Sequence, residues 1–430
     1  MQKTYLFILL ASLCFLSFET QATVIFVHYS SSGTNTGASW TNAFTTLQPA
    51  LNAASAGDTI FIASGTYKPT HIPSTGGTST TSRDLSFYLD KDIKIYGGFA
   101  GTETALSQRN IGSNPVILSG DIGTSGSNSD NCHHIFITDG LSSAAVLDGV
   151  TITGGNANGS SSISYSGRTY GQNVGGGLYL QDSDPILTNL VVFDNNAVHA
   201  GGTALGVASN PIITNVVYYM NTASGGGGGM KIWGTSQPKL LNVTFSNNTS
   251  GSEGGGILIY HGNTSVTITN CVFWGNKIGT SSTVNGADID KGGKAPVPTV
   301  THSLTQQNSS YSTGTGMINN QDPLFAKASD PDGVDNVWMT EDDGLRLNSN
   351  SPAVDAGLNS AISGYSTDIV GTARVVNTNV NMGAYEVLCA ETTKTITANV
   401  CDTYTSPSGK TWTTSNTYSD TIANTAGCDS

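Results

Sequence analysis

The chain has 430 residues, a formal net charge of −13, only 11% charged residues and 52 glycines. So little Lys and Glu argues against a helical protein. The acidic balance argues against nucleic acid and anionic membranes as partners.

Residues 1–22 read as a secretory signal. Lys3 precedes an apolar run from Leu6 to Phe18, and Thr20 to Ala22 supplies small residues for cleavage. The run is short for a membrane span. No later stretch is apolar enough to cross a bilayer, so the mature chain is expected to carry no transmembrane segment. Residues 23–56 read as an N-terminal cap. Trp40, Phe44, Leu47 and Leu51 fall at helical spacing, with Pro49 expected to break or kink the helix.

Short strands follow in "DTIFIA" from Asp58, "DIKIYGGF" from Asp92, "PVILSGD" from Pro115, "HHIFITD" from His133 and "AAVLDGVTIT" from Ala144. The stretch between Gly159 and Asn173 reads as an extra loop bulging from one coil, its length simply tolerated.

Then the chain repeats. "PILTNLVVFDNN" from Pro185 recurs as "PIITNVVYYMNT", "PKLLNVTFSNNT" and "VTITNCVFWGNK". The fifth places, Asn189, Asn215, Asn242 and Asn270, are 26, 27 and 28 residues apart, and Asn195, Asn221, Asn248 and Asn276 follow six places later. A glycine group precedes each copy. Apolar residues alternate after it in aligned columns: Leu178, Ala204, Met230, Ile257; Leu180, Gly206, Ile232, Ile259; Leu187, Ile213, Leu240, Ile268; Leu190, Val216, Val243, Cys271; Val192, Tyr218, Phe245, Phe273. Period-two alternation in a repeat of this length predicts about three strands per coil of a parallel β-helix, spanning residues 57–304. Asn189, Asn215, Asn242 and Asn270 are expected to stack as a ladder at left-handed corners. A leucine-rich repeat would need a helix-forming half that these glycines cannot supply.

Outward columns hold Phe193, Tyr219, Ser246, Trp274 and Gln181, Val207, Trp233, Tyr260. Their aromatics, Phe193, Tyr219, Trp274, Trp233 and Tyr260, are the candidate ligand-binding residues, because stacked exposed rings suit sugars or protein partners. No aligned column places two acids in adjacent coils, so no catalytic residue is assigned. An enzymatic alternative rests on Asp121, His133, His134, Asp139 and Asp148 in the earlier coils.

Residues 305–388 read as the C-terminal cap region. Within it Asp330, Asp332 and Asp335 in "DPDGVD" read either as a solvated acidic turn or as a partial calcium loop; otherwise no cofactor is expected. Residues 389–430 shift to Thr and Ser and read as a partial Cys-containing β module. Cys401 and Cys428 are the preferred disulfide, leaving Cys389 without an obvious partner.

The combination of "SSSGTNTGASWTNAFTTLQPALNAASAGDTIFIASGTYKPT", "LDGVTITGGN", the Gly-rich and FxxN coils, "DDGLRLNSNSPAVDAG" and "VNMGAYE" resembles the choice-of-anchor Q family. The coils are also similar to those of chlamydial polymorphic outer membrane proteins. The last segment resembles a Cys-flanked repeat of gliding-bacterium adhesins. The resemblance implies an all-β, right-handed parallel β-helix exported by a Gram-negative bacterium of the Bacteroidota. It also implies a C-terminal anchoring domain, and the chain stops without one, so truncation is an open expectation. The expected function is a secreted or cell-surface adhesin, monomeric and non-catalytic, contacting glycans or surface proteins. A polysaccharide lyase or glycoside hydrolase and a structural spacer are the alternatives.

Overall fold

Strands in the computed structural model pair in parallel from coil to coil, as stacked repeats require. The described residues are 22–73, 82–262, 265–293, 295–307, 314–362, 364–376 and 378–387, with short pieces between 397 and 420. Parallel sheets of 15, seven and five strands surround one apolar interior, forming a parallel β-helix. The expected signal lies outside the described residues except for Ala22, and so do Cys389, Cys401 and Cys428.

The coil from Gly175 to Ala200 shows the construction. Leu178–Gln181 belongs to the seven-stranded sheet, Ile186–Phe193 to the 15-stranded sheet and Asn196–Ala197 to the five-stranded sheet. Left-handed residues turn the chain at Gly175 (φ 74°), Asp182 (48°), Asn189 (49°), Asp194 (50°) and Ala200 (58°). Asn215, Asn242 and Asn270 repeat the third of these corners at φ 56°, 52° and 55°. Asparagine tolerates that conformation better than most residues, which accounts for its place in every copy.

The unbroken amide ladder is the second asparagine column. Asn195, Asn221 and Asn248 each donate from Nδ2 to Oδ1 of the next asparagine, at 3.1, 2.9 and 3.0 Å, ending at Asn276. Asn276 in turn donates to Asp288 at 3.0 Å. The expected column, at Asn189, Asn215, Asn242 and Asn270, stacks coil on coil but its ladder is broken. Asn215 donates to Asn189 at 3.0 Å and Asn270 to Asn242 at 3.3 Å. Between those pairs Arg374 takes the Asn215 carbonyl, and the Asn242 amide turns to the carbonyls of Asn381 and Gly383. This column meets a C-terminal segment that competes for its hydrogen bonds, whereas the second column is sealed inside.

Tyr218, Phe245 and Phe273 stack within the core at 4.6 and 4.9 Å between centroids, nearly coplanar at 4° and 2°. Two expected columns shift by one residue in a single coil. Thr203, not Ala204, pairs with Leu178 and Met230, and Leu205, not Gly206, pairs with Leu180 and Ile232. Thr203 is a polar residue in an apolar column, so its Oγ1 needs a buried partner; it shares a 3.1 Å hydrogen bond with the Tyr218 hydroxyl.

At the N-terminal end, Val24–Val27 pairs with Thr59–Ala63 and is already the first rung. The helix is Leu47–Ala53, packing Leu47, Ala50 and Leu51 inward. Pro49 does not break it. It occupies the first turn, where a backbone N–H has no helical acceptor. The stretch after Gly159 is a hairpin, Ser162–Tyr165 with Arg168–Gly171, folded back over the seven-stranded sheet. Residues from about Phe325 to Val387 do not simply close the last coil. They run along the flank of the 15-stranded sheet, over Val191, Val217 and Val272. Near the C-terminus Tyr404–Thr405 pairs antiparallel with Thr411–Trp412.

Candidate functional site

The outward aromatic columns meet two different fates. Phe193, Tyr219, Ser246 and Trp274 pair in register, as expected. They are nevertheless covered. Tyr219 is 9% exposed, and its ring and that of Phe193 lie 5.7 and 5.6 Å from Trp338. Trp274 packs with Leu347, Ala353 and Met382. The flanking segment thus closes over Tyr219 and half-buries Phe193 and Trp274. Arg374 fastens that segment. It is 1% exposed, pairs with Glu386 at 2.9 Å and donates to the carbonyls of Gly383 and Ala384 and to Asn215. Beside it the Tyr385 hydroxyl donates to Asp343 at 2.6 Å, and burial pushes the Asp343 carboxyl up to about 7.

Trp233 and Tyr260 sit on the seven-stranded sheet in adjacent, paired coils and stay partly open, Tyr260 at 36%. Their column contains Gly206 rather than Val207. Glycine is needed there because the Trp233 ring lies across it; an added Cβ would meet the ring at 2.7 Å. Trp233 also meets Tyr179 edge-on at 5.8 Å. The Lys231 ammonium stands 4.9 Å over the Tyr260 ring, and the His261 ring meets it edge-on with centroids 4.1 Å apart. Burial lowers the Lys231 pKa, opposed by Glu253. Burial, with Lys231 adding to it, also lowers that of His199. Asp290 is raised by burial and then by Glu253. The result is two partly open aromatic faces in a rim of mixed charge, with donors, acceptors and stacking area.

The residues held in reserve for catalysis are mostly tied up. His134 is fully buried against the Gly175 carbonyl at 2.9 Å, and burial brings it down to about 4. His133 is buried beside the Asn156 carbonyl at 3.3 Å. Asp148 pairs with Arg109 at 2.6 Å and accepts from Asn189 at 2.9 Å. Asp121 lies 3.9 Å from Lys68. One pairing was missed in the sequence columns. Arg168 of the hairpin bridges Asp139, at 3.1 Å, and Asp182, two carboxylates of adjacent coils. No alignment of coils could reveal it, because the arginine arrives from the inserted hairpin. With the guanidinium between them, the two acids make an ion-pair clamp that holds the hairpin on the sheet.

Asp330 pairs with Lys327 at 2.7 Å, while Asp342 accepts from Val334 and Asp335 backbone groups. Among the described residues no three His, Cys, Asp or Glu converge as a metal site, and Asp330, Asp332 and Asp335 form no such group. Cys132 and Cys271 are free and buried. Among those residues no helix is long and apolar enough to cross a membrane.

Residues 119–322 match the family model of the right-handed β-helix region. Among solved structures the chain is similar to pectate lyase Pel9A, with 15% identity and a TM-score of 0.46, covering 85% of this chain and 97% of that one. It is also similar to the pectin methylesterase from Aspergillus niger, with 12% identity and a TM-score of 0.33, covering 69% and 82% respectively. Both likenesses are too distant to carry residues or activities across. No curated protein matches the chain.

Proposed function

We propose that this chain is an exported, non-catalytic, adhesin-like β-helix, secreted or displayed on the surface of a Gram-negative cell, whose seven-stranded sheet contacts glycans. The observation that carries this reading is the pair Trp233 and Tyr260, partly exposed in adjacent coils and rimmed by Lys231, His261, Glu253 and Asp290. Two rings about one sheet spacing (~4.8 Å) apart suit successive units of an extended saccharide. Asp139 and Asp182 of the same sheet, the acids that adjacent coils bring together, are tied up by Arg168, which favours holding a ligand over cleaving it.

A glycan-array screen of the mature chain, with a parallel assay for new reducing or unsaturated ends, tests this. Binding is expected without end formation, and Trp233→Ala with Tyr260→Ala together should weaken it at least about tenfold, the effect of losing roughly 1.4 kcal/mol. Full binding by the double variant would remove the proposal. Accumulating ends that disappear with Asp139→Asn or Asp182→Asn would replace it with a polysaccharide lyase or glycoside hydrolase.

A further inference from the structure

We propose a second saccharide site, built for a neutral hexose ring, in the cleft where the helix Leu47–Ala53, the strand Phe87–Leu89 and the hairpin Ser162–Tyr165 meet. The cleft has a volume of about 480 Å³ and is lined by Leu51, Asn52, Tyr88, Asp90, Lys91 and Tyr165. That size falls within the roughly 300–1,000 Å³ of small-molecule pockets. Its wall is an aromatic pair, Tyr88 and Tyr165, with centroids 4.7 Å apart and planes at 58°. Both rings are only partly buried although they touch, so each keeps surface for a C–H face to stack on.

The polar groups are positioned. Tyr165 and Asp90 line the same cleft, and the exposed Asp90 carboxylate offers lone pairs to accept from sugar hydroxyls. Lys91 spends two N–H bonds on the Asn52 and Ala54 carbonyls, at 3.1 and 2.7 Å, leaving a third for a ligand. Asn52 Oδ1 is taken by Gln48 at 2.8 Å, so its amide group is the part that remains to donate. One carboxylate and one ammonium balance locally, so an anionic sugar gains little there, and the net −13 surface disfavours it. A single carboxylate also makes a poor cation site.

This site stands apart from the Trp233 and Tyr260 surface. Phe87–Leu89 ends the seven-stranded sheet, four strands from Met230–Trp233, which is about 19 Å at ~4.8 Å per strand. The two can therefore fail separately. Titration calorimetry would use maltotetraose, cellotetraose and mannotetraose as neutral probes and tetragalacturonate as the charged one. At least one neutral probe is expected to bind, at least about tenfold more weakly to Tyr165→Ala, and about threefold more weakly to Tyr165→Phe, which keeps the ring and loses the hydroxyl. Trp233→Ala with Tyr260→Ala should leave that binding in place. Asn52→Ala, at an exposed position, guards against a Tyr165 variant that merely misfolds and should cost about fivefold. No neutral probe binding, a preference for tetragalacturonate, or unchanged affinity in both Tyr165→Ala and Asn52→Ala would overturn the site.

Discussion

Tyr219 and Trp233 both leave β-strands outward, from neighbouring coils, and both were read from the sequence as candidate contact residues. Tyr219 ends beneath Trp338 in a second apolar cluster, whereas Trp233 keeps part of its ring open over Gly206. The direction of a side chain follows from strand alternation. Its exposure does not, because a segment more than a hundred residues downstream decides which outward face becomes a second core. An outward aromatic column is thus a question about what else the chain folds onto it.

The harshest way to break the comparison is to free the flanking segment. Arg374→Met leaves Glu386 unpaired in a site where both side chains are 1% exposed. Losing one partner of such a pair costs about 3–5 kcal/mol. Chemical denaturation should show that loss, and limited proteolysis should cut between residues 325 and 387 before it cuts the coils. Tyr219→Ala comes next, at about 3 kcal/mol for a large ring removed from a packed site. Trp233→Ala should cost clearly less stability and act on binding instead. Equal stability losses at the two positions would erase the distinction drawn here. Asn248→Ala tests the interior common to both faces. It removes a rung that serves Asn221 and the Tyr218 carbonyl, and leaving those groups unsatisfied should cost about 2 kcal/mol.

A separate effect is on pH. Burial raises Asp343 and Asp288 to about 7 from an ordinary value of 3.8. Below pH 4 these groups are protonated in both the folded and unfolded chain. As pH rises from about 4 to 7 the unfolded chain gives up these protons first, so folding becomes less favourable over that window and then levels off. The melting temperature should therefore be higher at pH 5 than at pH 8. Burial raises Glu386 of the flanking segment to about 7 as well, so Asp343→Asn should reduce, without abolishing, the pH response of proteolysis between residues 325 and 387, and leave that of the coils, where Asp288 sits.

The coils were legible because stacking forces like residues into like places. The corner at Asn189, Asn215, Asn242 and Asn270 and the apolar columns announce themselves at a spacing near 27 residues. The slip at Ala204 and Gly206 came from expecting an apolar residue where Thr203 satisfies its hydroxyl on Tyr218. The flanking segment was opaque. Its contacts run from Arg374 to Asn215 and from Trp338 to Tyr219, pairs that no periodicity links. The Arg168 clamp and the Tyr88–Tyr165 cleft were opaque for the same reason, since both depend on where an inserted hairpin lands. The outward, paired placement of Trp233 and Tyr260 follows from alternation alone, although Gly206 rather than Val207 stands in their column.

The order of synthesis gives the flanking segment one more consequence. Residues 338–385 leave the ribosome after every coil whose side they will cover. Until then Val191, Phe193, Val217 and Tyr219 form a naked greasy strip on an otherwise finished solenoid. A nascent or shortened chain is thus expected to associate with its own copies, and the completed C-terminal stretch to prevent it.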